Sequence, residues 1–189
     1  MSGNYTDEQL AARTLAGDRG AFRALVDRNY TTVYRLCRSV LHHSEDAEDA
    51  TQEVFLRAYH SLGQFHGRGS FHGWLRRLTV NYCLNRLQTV DARRARSEYS
   101  LDSLGESISG SREDDPEDRI IRREESSRIQ EELNNLPPKQ RAAMGLRLLE
   151  GMSYEEIAST LGVPVNSVRS WLHRGRERMK EVLEEALKC

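Results

Sequence analysis

Residues 153–179 read "SYEEIASTLGVPVNSVRSWLHRGRERM". Ser153 and Glu156 have the S-x-x-E spacing of a capping box, in which each side chain satisfies a backbone N–H that the first helical turn leaves unpaired. Ile157, Ala158 and Leu161 follow at the spacing of one apolar helix face. Gly162 stands where a tight turn needs a positive φ, and Pro164, with its φ already fixed, suits the start of a second helix. That helix turns Val168, Trp171 or Leu172, and Gly175 inward. An Ala four residues before a turn Gly, with Val168 six residues after that Gly, is the arrangement of a helix-turn-helix. The small Ala lets the two helices approach, and the Val closes their shared core.

With those residues inward, Arg169, Ser170, His173, Arg174 and Arg176 project from the opposite side. They form a donor-rich surface on the second helix of the motif, the one that enters the major groove of DNA. A basic helix by itself is equally a solvated face neutralised by neighbours such as Glu177 and Glu181. The turn signature in front of it favours DNA.

The remainder of the chain fits a protein of small helical domains. Its 189 residues are 38% hydrophobic and 30% charged, and 28 basic against 29 acidic residues leave a formal net charge of -1. This composition indicates wet surfaces and modest cores rather than a membrane protein or a disordered tail. Near-neutrality conceals asymmetry: "SEDAEDATQE" (44–53) and "EDDPED" (113–118) are acidic, whereas "RLQTVDARRAR" (86–96) is basic. Local patches, not the total, set the field that a phosphate feels.

No apolar run approaches the ~18 residues of a membrane span. The polar start "MSGNYTDEQL" lacks the layout of a secretory signal. A cytoplasmic protein without membrane insertion is expected. Cys37, Cys83 and Cys189 are far apart and form no C-x-x-C pair, which argues against a disulfide framework. Cys37 and Cys83 read as buried thiols, and Cys189 as an incidental tail residue before a redox handle. The six histidines make no H-E-x-x-H or Cys/His cluster with ligand spacing, so neither metal, cofactor nor enzyme chemistry is expected.

Helix follows helix, with almost no period-two alternation, and the fold class expected is all-α. Thr6 with Gln9 predicts a capping box for a short first helix ending near Gly17. Phe22, Leu25, Val26, Val33, Leu36, Cys37, Val40 and Leu41 predict a long amphipathic helix, with one gap at Asn29 and Tyr30. Ser44 is expected to cap the next helix, with Glu45, Asp46 and Glu48 in its first turn. Ala47, Ala50, Val54, Phe55, Ala58 and Leu62 form that helix's buried stripe. Gly63, Gly67 and Gly69 predict a loop. A further helix resumes near Phe71, carries Trp74, Leu75, Leu78 and Tyr82 inward, and runs to about Arg96.

Over residues 97–115 the periodicity vanishes and Ser, Gly and acidic residues dominate, as in a segment unable to bury enough surface to order itself. This predicts a flexible acidic linker between two small helical domains, residues 1–96 and 116–189. The pattern returns with Ile120, Ile121, Ile129 and Leu133. It restarts near Pro138 as a helix that Gly151 ends.

The stretch "LPPKQRAAMGLRLLEGMSYEEIASTLGVPVNSVRSWLHRGRERM" (136–179) resembles the C-terminal DNA-binding region of sigma-70-type factors, in particular the extracytoplasmic-function (ECF) group. "DATQEVFLRAY" (49–59) and "FHGRGSFHGWLRRLTVNYCLNRL" (65–87) are similar to region 2 of that family, and the acidic segment lies where the family joins its two domains. The resemblance covers nearly the whole chain, with both halves in the expected order. It implies a non-enzymatic factor that binds core RNA polymerase, recognises the -10 and -35 promoter elements and starts transcription of a stress-response regulon. It implies restraint by an anti-sigma factor as well.

Residue by residue, the D-x-x-Q-E-x-F pattern falls on Asp49, Gln52, Glu53 and Phe55. The resemblance implies that Asp49, Gln52 and Glu53 dock on a coiled coil of the polymerase largest subunit, with Phe55 in the core. The loop and the helix after it resemble the part that captures an unstacked -10 base, which implies roles for Phe65, His66, Arg68, Arg76, Arg77 and Asn81. Asn81 would read a base and Phe65 would line its pocket, while Phe71 and Trp74 sit in the apolar stripe. Unstacking a base costs a few kcal/mol, which aromatic stacking and a positive groove offset. For the -35 element the corresponding readers are Arg169, Ser170, His173, Arg174 and Arg176; where the family often has a basic residue, this chain has Trp171. About 19 linker residues at ~3.3 Å each reach at most ~63 Å, close to two turns of duplex at ~34 Å each.

Two other readings compete. A conventional regulator with a LuxR-like helix-turn-helix and an N-terminal sensing domain leaves the aromatic and basic segment from Phe65 to Arg96 unexplained. An enzyme or metal protein lacks any matching histidine motif.

Overall fold

Residues 5–41, 43–65, 69–96 and 135–186 are described by the computed structural model, and every regular element among them is helical. The first helix, α1 (Asp7–Leu15), opens on the capping box its sequence predicts: Thr6 N–H donates to Gln9 Oε1 at 2.9 Å, and Gln9 N–H donates back to Thr6 Oγ1 at 3.3 Å. The long apolar pattern becomes α2 (Arg19–Leu41). Its gap at Asn29 has a structural use. Asn29 is buried, and its amide donates to Asp7 Oδ2 at 2.9 Å and to the Leu25 carbonyl at 3.0 Å, so the polar interruption ties α2 to α1.

The start of α3 (Ser44–Ser61) departs from expectation. His43 holds the N-cap in extended conformation without a side-chain cap bond, and Ser44 is already helical. Leu41 ends α2 and Ser44 begins α3, so little chain is left for the reversal. The extended turn therefore falls on residue 43, whichever neighbour has the better capping side chain. Glu45 and Asp46 still occupy the first turn, where they favour the helix dipole. A 3-10 turn (Leu62–Gln64) leads out of α3, and α4 spans Phe71–Arg96.

The buried stripe of α3 is small, with Ala47, Ala50 and Ala58 at 0% exposure, and it lets α3 lie close against α2. Leu25, Val33, Leu36 and Val40 of α2 and Phe71, Leu75, Val80 and Leu84 of α4 complete this core. Cys37 and Cys83 are both buried free thiols within it. Cys189 lies outside the described residues, as do the predicted linker at 97–115 and the apolar positions Ile120, Ile121, Ile129 and Leu133.

Among the described residues three more helices follow: α5 (Pro138–Glu150), α6 (Tyr154–Leu161) and α7 (Val165–Ala186). Pro138 stands in the first turn of α5, and Gly151 caps its end at φ 64°. The capping box of α6 forms, with Ser153 N–H on Glu156 Oε2 at 2.8 Å and Glu156 N–H on Ser153 Oγ at 3.2 Å. Gly162 adopts φ 62° and ψ 45°, the left-handed conformation that the turn into α7 demands. Val168 and Leu172 are essentially inaccessible, whereas Trp171 is half-buried. Of Trp171 and Leu172, it is therefore Leu172 that joins Val168 in the core of the helix-turn-helix.

These C-terminal helices pack on the N-terminal ones, through α5 on α2 and through α6 on α4. At Gly145 a Cβ would collide with the Ser39 hydroxyl, so the backbone of α5 rests directly on α2. Among the described residues no helix is long and apolar enough to cross a membrane.

Candidate nucleic-acid interface

The helical period of α7, with Val168, Leu172 and Gly175 buried, leaves Arg169, Ser170, His173, Arg174 and Arg176 exposed, as the sequence predicts. Their nearest bonds are neutral. Arg169 donates to Asn166 Oδ1 at 3.3 Å, Arg174 to the Ser170 carbonyl at 3.4 Å, and Arg176 to the Tyr154 hydroxyl at 2.5 Å. Among the described residues no ion pair joins these three arginines to a carboxylate, Glu177 and Glu181 included.

On α3, Asp49, Gln52 and Glu53 are all exposed along one edge, and Phe55 is buried at 7% exposure. Glu53 lies 3.9 Å from Arg57, and Asp49 lies 3.8 Å from Arg86 of α4. Arg86 also pairs with Asp46 at 2.5 Å, and so links α4 to the acidic edge of α3. Leu56 and Tyr59 continue that edge and are 54% and 45% exposed. They have no role in the reading from sequence. Their spacing from Gln52 and Glu53 places them on the same helical side, and this was the available signal.

The third group surrounds α4. Phe65 is half-buried, with its ring centroid 5.7 Å from both Phe71 and Trp74, so it closes an aromatic cluster rather than standing clear of the surface. Phe71 is core, as expected, while Trp74 is half-buried. Asn81 is exposed, and so is Arg77, which reaches Ser159 Oγ of α6 at 3.5 Å. His66 and Arg68 lie outside the described residues.

Arg76 is placed differently from its neighbours. Its side chain is 16% exposed, and Nη2 and Nε lie 3.0 and 3.2 Å from Oε2 of Glu150, at the end of α5. His72 Nε2 reaches the same oxygen at 2.8 Å, while its Nδ1 lies 3.4 Å from Asn29 Oδ1. The His72 hydrogen bond, followed by the charge and hydrogen bond of Arg76, holds the Glu150 carboxyl below the usual carboxylate range against the opposing effect of burial. Neither His72 nor Glu150 stands out in the sequence as a site residue. They are 78 residues apart, and no local pattern connects them. Among the described residues, no group of three or more His, Cys, Asp or Glu side chains is arranged to hold a metal ion.

Comparison with known proteins identifies the family. Residues 25–93 match the family model "Sigma-70 region 2", and residues 126–179 match "Sigma-70, region 4". The RNA polymerase sigma-H factor of Pseudomonas aeruginosa is 33% identical over 186 residues, 96% of each chain. The ECF RNA polymerase sigma-E factor of Escherichia coli is 34% identical over an alignment of 197 positions that covers both chains completely. Among solved structures, the sigma factor RpoE of Bartonella quintana, in complex with the anti-sigma factor NepR, shares the fold with a TM-score of 0.68 at 21% identity. That match covers 86% of this chain and 96% of the other.

Proposed function

This chain belongs to the ECF group of sigma-70 factors, and from that membership we propose how its surfaces divide the work of starting transcription. Residues 1–96 form the unit that binds core RNA polymerase and the -10 element. Residues 116–189 form the unit that binds the -35 element, and residues 97–115 tether the two. Tethering raises the effective concentration of the second contact once the first is made.

Asp49, Gln52 and Glu53 dock on the coiled coil of the polymerase largest subunit, where exposed carboxylates make charge-assisted hydrogen bonds. Leu56 and Tyr59 add apolar area beside them. Arg77 and Asn81 of α4 hold the separated -10 strand together with the loop residues His66 and Arg68. Phe65 borders the base pocket through its aromatic cluster. Arg169, Ser170, His173, Arg174 and Arg176 read the -35 element from the major groove. The protein works in the cytoplasm, without catalytic chemistry of its own. An anti-sigma factor restrains it until a stress signal releases it to its regulon.

The observation that carries this reading is the pair of oppositely charged faces on one chain: a recognition helix whose Arg169, Arg174 and Arg176 make no ion pair with a carboxylate among the described residues, and an exposed acidic edge on α3. A conventional regulator with a sensing domain needs the first face and has no use for the second. Run-off transcription with purified core enzyme and a promoter library tests it. Selective start sites that depend on the added chain are expected. Transcription no more selective than that of core enzyme alone overturns the reading.

A further inference from the structure

His72 and Arg76 lie one turn apart on α4 and converge on a single anionic oxygen, Glu150 Oε2, at 2.8 and 3.0 Å. Two donors aimed at one oxygen suit a phosphate oxygen as well as a carboxylate, because both ligands accept charge-assisted hydrogen bonds at this distance. The carboxylate comes from α5, in the C-terminal group of helices, and its side chain is only 9% exposed. The adjacent Arg77 is held from the same side by Ser159 of α6. A cleft of about 490 Å³ lies alongside, lined on one wall by Gly73, Trp74 and Arg77 and on the other by Met152, Glu155 and Ser159. The site is therefore occupied from within, beside a space that an external strand can enter.

We propose that His72 and Arg76 form a phosphodiester-binding site for promoter DNA, and that Glu150 fills it as an internal substitute while the C-terminal helices lie against α4. The proposal rests on the sigma-factor reading and adds to it a phosphate contact, His72, and an internal competitor, Glu150. DNA capture and the release of α5 from α4 become one exchange of anions.

Electrostatics makes the exchange feasible. Sequestering a carboxylate and a guanidinium from water costs nearly as much as their attraction returns, so the internal pair holds with a small net advantage. A DNA strand offers many phosphates and releases condensed counterions when it binds. Glu150 also cancels positive charge on the face of α4 that DNA must approach.

The test uses the full-length chain without polymerase and a fluorescein-labelled single-stranded DNA 20-mer of mixed sequence, followed by fluorescence anisotropy. Glu150→Gln keeps the shape of the side chain and removes its charge. It is expected to bind the oligonucleotide about 5- to 10-fold more tightly than the parent, within the usual span of coupling between sites. Arg76→Ala and His72→Ala, each added to Glu150→Gln, are expected to abolish the gain. The Arg76 double variant should also make the log–log salt slope shallower by about 0.7. Glu155→Gln, which removes a charge from the same cleft without touching Arg76, should stay within about two-fold of the parent.

The proposal is overturned if Glu150→Gln binds like the parent, if the gain survives loss of Arg76, or if Glu155→Gln yields as large a gain. Circular dichroism confirms equal helix content across the set. Should the parent chain direct selective run-off transcription while Glu150→Gln leaves DNA affinity unchanged, the anion site falls and the sigma-factor reading stands. Tighter DNA binding by Glu150→Gln with no core-dependent transcription from the parent does the opposite: the anion site stands and the sigma-factor reading falls.

Discussion

Under the proposed division of work Arg174 and Asp49 serve different partners, and substitutions should separate them. Arg174→Ala removes a guanidinium able to bond a guanine edge in bidentate fashion. It should weaken binding to -35 duplex by about 1–3 kcal/mol while core polymerase binding stays at the parental level. Anisotropy with duplex DNA and a core pull-down measure the two effects. The reverse pattern is expected of Asp49→Ala combined with Glu53→Ala: core binding falls several-fold, and duplex affinity does not. Both residues were legible in the sequence because exposure on a helix follows from the periodicity of its buried neighbours. Phe65 was less so. Its place before the Gly-rich stretch was readable, but its packing on Phe71 and Trp74 is a contact between elements that no helical period encodes.

At the scale of single helices, the capping boxes of α1 and α6 were readable because both partners lie within one turn of each other. Ser153→Ala should cost about 1 kcal/mol of stability, visible as a lower thermal midpoint by circular dichroism. The beginning of α3 obeyed a constraint from outside the helix, the closeness of its start at Ser44 to the end of α2 at Leu41, and the cap falls on His43. Since His43 makes no side-chain cap bond, His43→Asp should stabilise the protein by about 0.5–1 kcal/mol through a new cap and a carboxylate at the positive end of the dipole. An unchanged or lower urea midpoint would contradict that account of the α3 start.

Across the whole molecule, carboxylates bind distant helices together. Glu8 of α1 accepts the Phe71 N–H at 3.0 Å, and Glu150 of α5 accepts from His72 and Arg76. Glu8 is held below the ordinary carboxylate range first by the Phe71 backbone bond, and Glu150 first by the His72 bond. A depressed carboxyl contributes stability that is fully present above its unfolded value and is lost as pH falls through its folded one. The contact of α5 with α4 should therefore hold at neutral pH and loosen below about pH 4.5. The groups facing Glu150 are His72 and Arg76 of α4; Asn29 of α2 touches His72, and Glu156 of α6 acts on Arg76. Small-angle scattering across an acid titration should show the radius of gyration rising in that window for the parent. In Glu150→Gln, which has no carboxyl to titrate at this contact, the rise should be smaller.

The amino-acid sequence by itself determined the described helices, the capping boxes and glycine ends of several of them, the helix-turn-helix and the exposed faces of α3 and α7. All of these follow from periodicities and pairings a few residues long, which are written locally in the chain. Only the tertiary structure decided that Leu172 rather than Trp171 closes the motif, that Asn29 joins α2 to α1, and that Glu150 lies against His72 and Arg76. Partners separated by 22 to 78 residues leave no periodic trace. Glu150, at the polar end of an amphipathic helix, looks like any solvated carboxylate until another helix covers it.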